Sequence, residues 1–128
     1  MSKGLCAGQV ALVTGASQGG TGTAIAIRLA AEGAKVAITA RTVEGLEATR
    51  ARIADFGGEC LVLPADLSDP NGERTKLVER TEARLGPIDI LVNNAAVNGC
   101  MPFETVSPQR SCRRWSTAPT AYDQASRI

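Results

Sequence analysis

The chain has 128 residues, the size of one domain or less, which is enough to bury about two-thirds of its unfolded surface. Hydrophobic residues make up 44% and charged residues 21%, with no apolar run near the ~18 residues of a membrane span, so a soluble globular chain without a membrane partner is expected. A net charge of +1 gives no global basic field for nucleic acid.

The charge is uneven along the chain. Residues 1–108 hold ten Lys/Arg against twelve Asp/Glu, whereas residues 109–128 hold four Arg against Asp123 alone. The four cysteines, Cys6, Cys60, Cys100 and Cys112, form no C-x-x-C pair and the chain has no histidine, so no metal site is expected. Met1 to Gly8 lacks the apolar core of a secretory signal, which makes a reducing, cytoplasmic location the expectation. Without histidine, acid–base chemistry falls to Tyr, Lys or a carboxylate.

In chain order, Val10 to Thr14 is a short apolar run ending at Gly15, as for a strand buried on both faces. A helix is predicted over Ala24–Glu32, with Ala24, Ile27 and Ala31 on its docked face and Gly33 as its stop. Lys35 to Thr39 reads as a second strand, Val43 to Phe56 as a helix closed by Gly57-Gly58, and Leu61 to Leu63 as a third strand. Asp69 and Pro70 provide the cap and first turn of a helix running to Leu85, which Gly86-Pro87 ends. Ile88 to Val92 is a fourth strand, followed by Asn93-Asn94-Ala95-Ala96. This alternation predicts an α/β fold, a doubly wound parallel sheet of about four βα units, incomplete at that number. Ser107-Pro108 begins another helix, but Gln109 to Trp115 has no apolar stripe and Ser116 to Pro119 reads as loop. The expected division is therefore a folded segment 1–108 and an irregular, non-native tail 109–128. The change of charge and periodicity at Gln109 is the pattern that a shift of reading frame leaves.

Thr14-Gly15-Ala16-Ser17-Gln18-Gly19-Gly20-Thr21-Gly22 lies between the first strand and the first helix. A pyrophosphate needs backbone N–H groups, an unobstructed turn and the positive end of a helix dipole, and a Gly-rich strand-to-helix turn supplies all three. Ser17 and Thr21 add hydroxyls. No Lys-Ser or Lys-Thr pair follows the glycines, which argues against a Walker-A loop. About 20 residues on, where an acidic side chain would accept the ribose hydroxyls of NAD, no Asp or Glu occurs between Glu32 and Glu44. Arg41 stands there instead, and a guanidinium suits a 2′-phosphate. NADP is therefore favoured over NAD.

These residues resemble the short-chain dehydrogenase/reductase family, whose TGxxxGxG motif matches Thr14 to Gly22 with one extra residue, so that Gly19 or Gly20 stands as the middle glycine. The family's NNAG matches Asn93-Asn94-Ala95-Ala96, with Ala96 in place of glycine, and Asp66-Leu67 matches its adenine-contacting Asp. The resemblance implies a Rossmann fold with Gly15, Ser17, Gln18, Gly20, Thr21 and Gly22 around the pyrophosphate and nearby ribose. It sets Arg41 at the 2′-phosphate, Asp66 and Leu67 at the adenine, and Asn93 with Ala95 at the ribose and sheet edge. Asn93 has an alternative role, tying the central strands together.

The family's catalytic set, a Ser, a Tyr-x-x-x-Lys pair and an Asn, finds no match here. The single tyrosine, Tyr122, has Ser126 four residues on, the last lysine is Lys76, and no asparagine follows Asn98. No catalytic residue is assigned. The resemblance thus implies an NADP(H)-preferring oxidoreductase acting on a carbonyl or alcohol, of which this chain holds the dinucleotide-binding part and is expected to be inactive alone. The alternative is a non-catalytic nucleotide-binding fragment or the product of a disrupted gene. Substrate and oligomeric state are left open.

Overall fold

The computed structural model describes residues 4–17, 19–69 and 73–96. Gln18, Pro70, the helix expected after Ser107-Pro108, the tail 109–128 and Tyr122 lie outside the described residues. Seven elements follow in the order β1 (Val10–Thr14), α1 (Thr21–Ala31), β2 (Lys35–Thr39), α2 (Val43–Ala54), β3 (Cys60–Val62), α3 (Glu73–Leu85) and β4 (Ile90–Val92). The sheet is parallel, ordered β3-β2-β1-β4.

Every residue of β1 is buried, because the strand is central and covered on both faces. Its side chains alternate between two cores. Ala11 and Val13 join Val36 and Ile38 of β2 against Ala26 and Ala30 of α1 and Leu46 and Ile53 of α2. Val10 and Leu12 join Ala37 and Leu63 against Leu77 and Leu85 of α3. Helices α1 and α2 therefore cover one face and α3 the other. The chain steps outward from β1 through β2 to β3, then returns to lay β4 beside β1. That reversal opens a crevice beyond the carboxyl ends of the central strands, where ligands of open α/β sheets bind.

Several predicted boundaries and one predicted face are corrected. Helix α1 begins at Thr21 rather than Ala24, and its buried residues are Gly22, Thr23, Ala26 and Ala30; Ala24 and Ala31 face outward. The helix is alanine-rich, so its sequence has no strong apolar stripe, and the smallest side chains set the face by letting its backbone approach the sheet. Helix α2 stops at Ala54, ahead of Phe56, which is half-exposed. Strand β3 starts one residue earlier than expected, and β4 starts at Ile90. Just before β4, the Asp89 carboxylate accepts the Val10 N–H at 2.9 Å and the Asp89 N–H donates to the Val10 carbonyl. That pairing sets the register of β4 on β1.

Candidate dinucleotide-binding site

A cavity of about 460 Å³ lies at the carboxyl ends of β1, β2, β3 and β4, within the ~300–1,000 Å³ span of small-ligand sites. Of the residues singled out in the sequence, Gly15, Ser17, Gly20, Thr21, Arg41, Asp66, Leu67 and Ala95 line it. Gly22 sits behind the wall as a spacer, Asn93 is exposed and is not among the lining residues, and Gln18 is outside the described residues.

The turn after β1 owes its shape to close packing. Gly15 has φ +70°, and a Cβ there would stand 2.9 Å from the Ala95 Cα. A Cβ on Gly22 would overlap the Gly15 carbonyl oxygen and stand 2.5 Å from Asn94 Nδ2. These two glycines let the first turn of α1, the end of β1 and the segment after β4 occupy one small volume. Gly20 is the N-cap of α1 and makes no side-chain cap, and the first turn carries no acidic residue. The opening N–H groups of α1, with Thr21 in the cavity wall, thus have no side-chain cap, an arrangement that favours negative charge. The residues present fit a pyrophosphate.

Asn94 ties the site together. Its Nδ2 donates to the carbonyls of Thr14 and Gly15, each at 3.2 Å. The Thr14 hydroxyl accepts the N–H groups of Asn94 and Ala95, each at 3.0 Å, and donates to the Val92 carbonyl. The strand-tying role considered for Asn93 therefore belongs to its neighbour. The doublet Asn93-Asn94 flags the segment in the sequence, but which of the two turns inward depends on where β4 ends.

On the opposite side, Arg41 and Asp66 face the same cavity. Asp66 Oδ1 accepts the Ser68 hydroxyl at 2.6 Å and the Ser68 N–H at 2.9 Å. These bonds, aided by the Arg41 charge, hold the Asp66 carboxyl below its ordinary range, so it is ionised at neutral pH. Among the described residues the Arg41 guanidinium makes no ion pair within 4 Å. Thr39, Ala40, Thr42, Ala65, Ser68, Asn94 and Ala96 complete the wall; they lie at or beyond strand ends and, Asn94 apart, offer largely backbone and small side chains, which leave little trace in the sequence. Among the described residues there is no cluster of three or more potential metal ligands, and no helix long and apolar enough to cross a membrane.

Residues 9–122 match the family model for short chain dehydrogenase. The chain belongs to the short-chain dehydrogenase family. It is 46% identical over 88 residues to a fatty acyl-CoA reductase of Acinetobacter baylyi, covering 69% of this chain and 29% of that protein. Its structure resembles a short-chain dehydrogenase from Mycobacterium smegmatis with a TM-score of 0.85 at 32% identity, covering 97% of this chain and 52% of that one. A metagenomic short-chain oxidoreductase in complex with NADP superposes with a TM-score of 0.81 at 38% identity, over 93% of this chain and 55% of that one. This short-chain dehydrogenase chain thus spans about a third of the length of the curated relatives it matches and about half that of the solved structures. The family is one of NAD(P)-dependent oxidoreductases, and the incomplete doubly wound sheet agrees with its fold.

Proposed function

We propose that this chain is the dinucleotide-binding part of an NADP(H)-preferring oxidoreductase that moves hydride between nicotinamide and a carbonyl or alcohol. The observation that carries the cofactor choice is the Arg41 guanidinium in the cavity wall without an ion pair among the described residues, at a strand end that has no carboxylate. A 2′-phosphate supplies the missing partner. The bound dinucleotide would provide the hydride, and the residues of this chain bind and orient it. The α1 N-terminus with Gly20 and Thr21 takes the pyrophosphate, Ser17 adds a hydroxyl, Asp66 and Leu67 hold the adenine, and Ala95 lies toward the ribose. By resemblance Gln18 and Gly22 belong to the pyrophosphate turn and Asn93 to the ribose side.

Residues 1–108 form this cofactor segment. The proton relay is not carried by these 128 residues, since Tyr122 has Ser126 four positions on and no lysine follows Lys76. The expected behaviour is binding without turnover. Fluorescence titration of the 128-residue chain with NADPH and NADH tests the reading. A charge-assisted pair of ~1.5–3 kcal/mol gives roughly ten- to hundredfold tighter NADPH binding, and Arg41→Asp reverses the preference. Equal affinities, or a ratio unchanged by Arg41→Asp, would refute the NADP assignment. NADPH-dependent carbonyl reduction well above background by this chain would refute the division of labour.

A further inference from the structure

Two buried threonines close the Gly-rich turn from behind. The Gly19 N–H donates to Thr23 Oγ1 at 3.2 Å, Thr23 Oγ1 lies 3.2 Å from Thr49 Oγ1, and Thr49 Oγ1 donates to the Ala16 carbonyl at 2.9 Å. Thr23 and Thr49 are 2% and 1% exposed. Each hydroxyl has one proton. With the Thr49 proton on Ala16, Thr23 must donate to Thr49, so the bonds run in one direction from Gly19 N–H through both hydroxyls to the Ala16 carbonyl. Ala16 and Gly19 are the two sides of one turn, and Thr49 belongs to α2, a helix that does not line the cavity. The pair therefore fixes the width of the turn from outside it.

This matters because the turn has one residue more than the TGxxxGxG spacing. Gly15 and Gly22 are pinned by their packing against Asn94, so the surplus falls between them. Gly19 (φ +72°) and Gly20 have no atom within 4 Å of where a Cβ would stand, so no steric contact there holds the lengthened turn. The Gly19 N–H bond to Thr23 does. A buried Thr hydroxyl in a helix interior usually bonds back to its own helix. Thr49 does reach the Gly45 carbonyl, but at 3.3 Å, longer than its bond to Ala16.

We infer that Thr49, acting through Thr23, is a positioning residue that sets the width of the lengthened phosphate turn and so holds Gly20 and Thr21 at the cavity wall. This rests on the dinucleotide reading for its effect on affinity, but not for its effect on the turn itself. Thr49→Val keeps the shape and removes the hydroxyl, leaving the Ala16 carbonyl and the Thr23 hydroxyl without this partner. Thr49→Ser restores it.

The test has a ligand-free and a ligand-bound part, both on the 128-residue chain. In the free protein, amide hydrogen exchange at Gly19 is expected to speed up about three- to tenfold in Thr49→Val relative to Leu12 and Val13 in β1, and to return to wild type in Thr49→Ser. In titrations, Thr49→Val is expected to weaken NADPH three- to tenfold while leaving 2′-AMP, which has no pyrophosphate, within twofold. If Gly19 exchange is unchanged, or rises only in step with β1, the inference fails. Equal losses of NADPH and 2′-AMP affinity also overturn it, because they report general loosening. Should neither nucleotide bind the wild type, the dinucleotide reading fails while the exchange result still decides the role of Thr49. If Thr49→Val does not fold, Thr23→Val and Thr23→Ser give the same comparison from the other side of the pair.

Discussion

Local propensity and tertiary packing make opposite forecasts for Gly22→Ala. Gly22 is the second residue of α1, and Ala is favoured over Gly inside a helix by up to ~1 kcal/mol. The added methyl would overlap the Gly15 carbonyl oxygen and stand 2.5 Å from Asn94 Nδ2. Neither neighbour can retreat cheaply. The Gly15 N–H is committed to the Thr39 carbonyl at 2.8 Å, and the Asn94 amide already bonds two carbonyls. Overpacking costs ~1–3 kcal/mol, and contact under 3.0 Å with backbone and a committed amide puts this site at the upper end, about 2–3 kcal/mol, so after the propensity gain the net loss is about 1–2 kcal/mol. For a domain of this size that is a fall in Tm of roughly 5–15 °C. Urea and thermal unfolding followed by far-UV circular dichroism measure it, with the midpoint reduced and the denaturant slope unchanged. Adding Asn94→Ala would relieve only part of the loss, since the Gly15 carbonyl is backbone. A Gly22→Ala protein with a midpoint at or above wild type would refute the packing argument and with it the account of why the turn needs glycine there.

Further outcomes follow from two groups around the sheet. Asn94→Asp would aim a carboxylate at the Thr14 and Gly15 carbonyls that now receive N–H bonds, costing about 3 kcal/mol at neutral pH. Because the folded carboxyl is pushed up, its deficit against wild type should shrink as the pH falls from 7 toward 4, read as the urea midpoint at each pH; a constant deficit would disprove it. Burial pushes the Cys60 thiol up to about 12, the Arg50 charge opposing and the Glu47 charge adding. Alkylation of Cys60 at pH 8.5, followed by peptide mass spectrometry, should be roughly 10³-fold slower in the folded chain than in urea. The unfolded thiol ionises near its ordinary value while the folded one stays protonated. Its contribution to stability is therefore complete below that value and lost as the pH climbs toward 12, a slope that Cys60→Ala should lack.

The parts of this molecule that were legible beforehand are those where chain pattern and tertiary demand coincide. Val10 to Val13 and Val36 to Ile38 are apolar on both faces because both faces are covered, and the observed strands, Val10–Thr14 and Lys35–Thr39, have the predicted limits. Arg41, Asp66 and the Gly-rich turn follow strand ends, and the parallel order brings strand ends to one edge. What escaped reading depended on distances of closest approach. In α1, Ala24 and Ala26 are chemically alike, and which one faces the sheet is decided by Gly22 fitting under Asn94. Thr49 shares a face of α2 with Leu46 and Ile53 and is buried with them, but nothing in the spacing shows that its hydroxyl bonds out of the helix to Thr23 and Ala16. The choice of Asn94 over Asn93 turns on β4 ending at Val92.

The Asn94 crosslink has a consequence for the order in which the protein acquires its shape. Thr14 and Asn94 are separated by 80 residues, so the turn around Gly15 is completed by a contact nearly as distant as the described fold contains. A nascent chain leaving the ribosome would have β1, α1, β2 and α2 in hand while the carbonyls of Thr14 and Gly15 still lacked their Asn94 partner. The finished geometry of this turn therefore arrives late, when β4 docks beside β1, and not when the glycines are synthesised. Appearance of that geometry during refolding would serve as a clock for closure of the longest-range contact in the sheet.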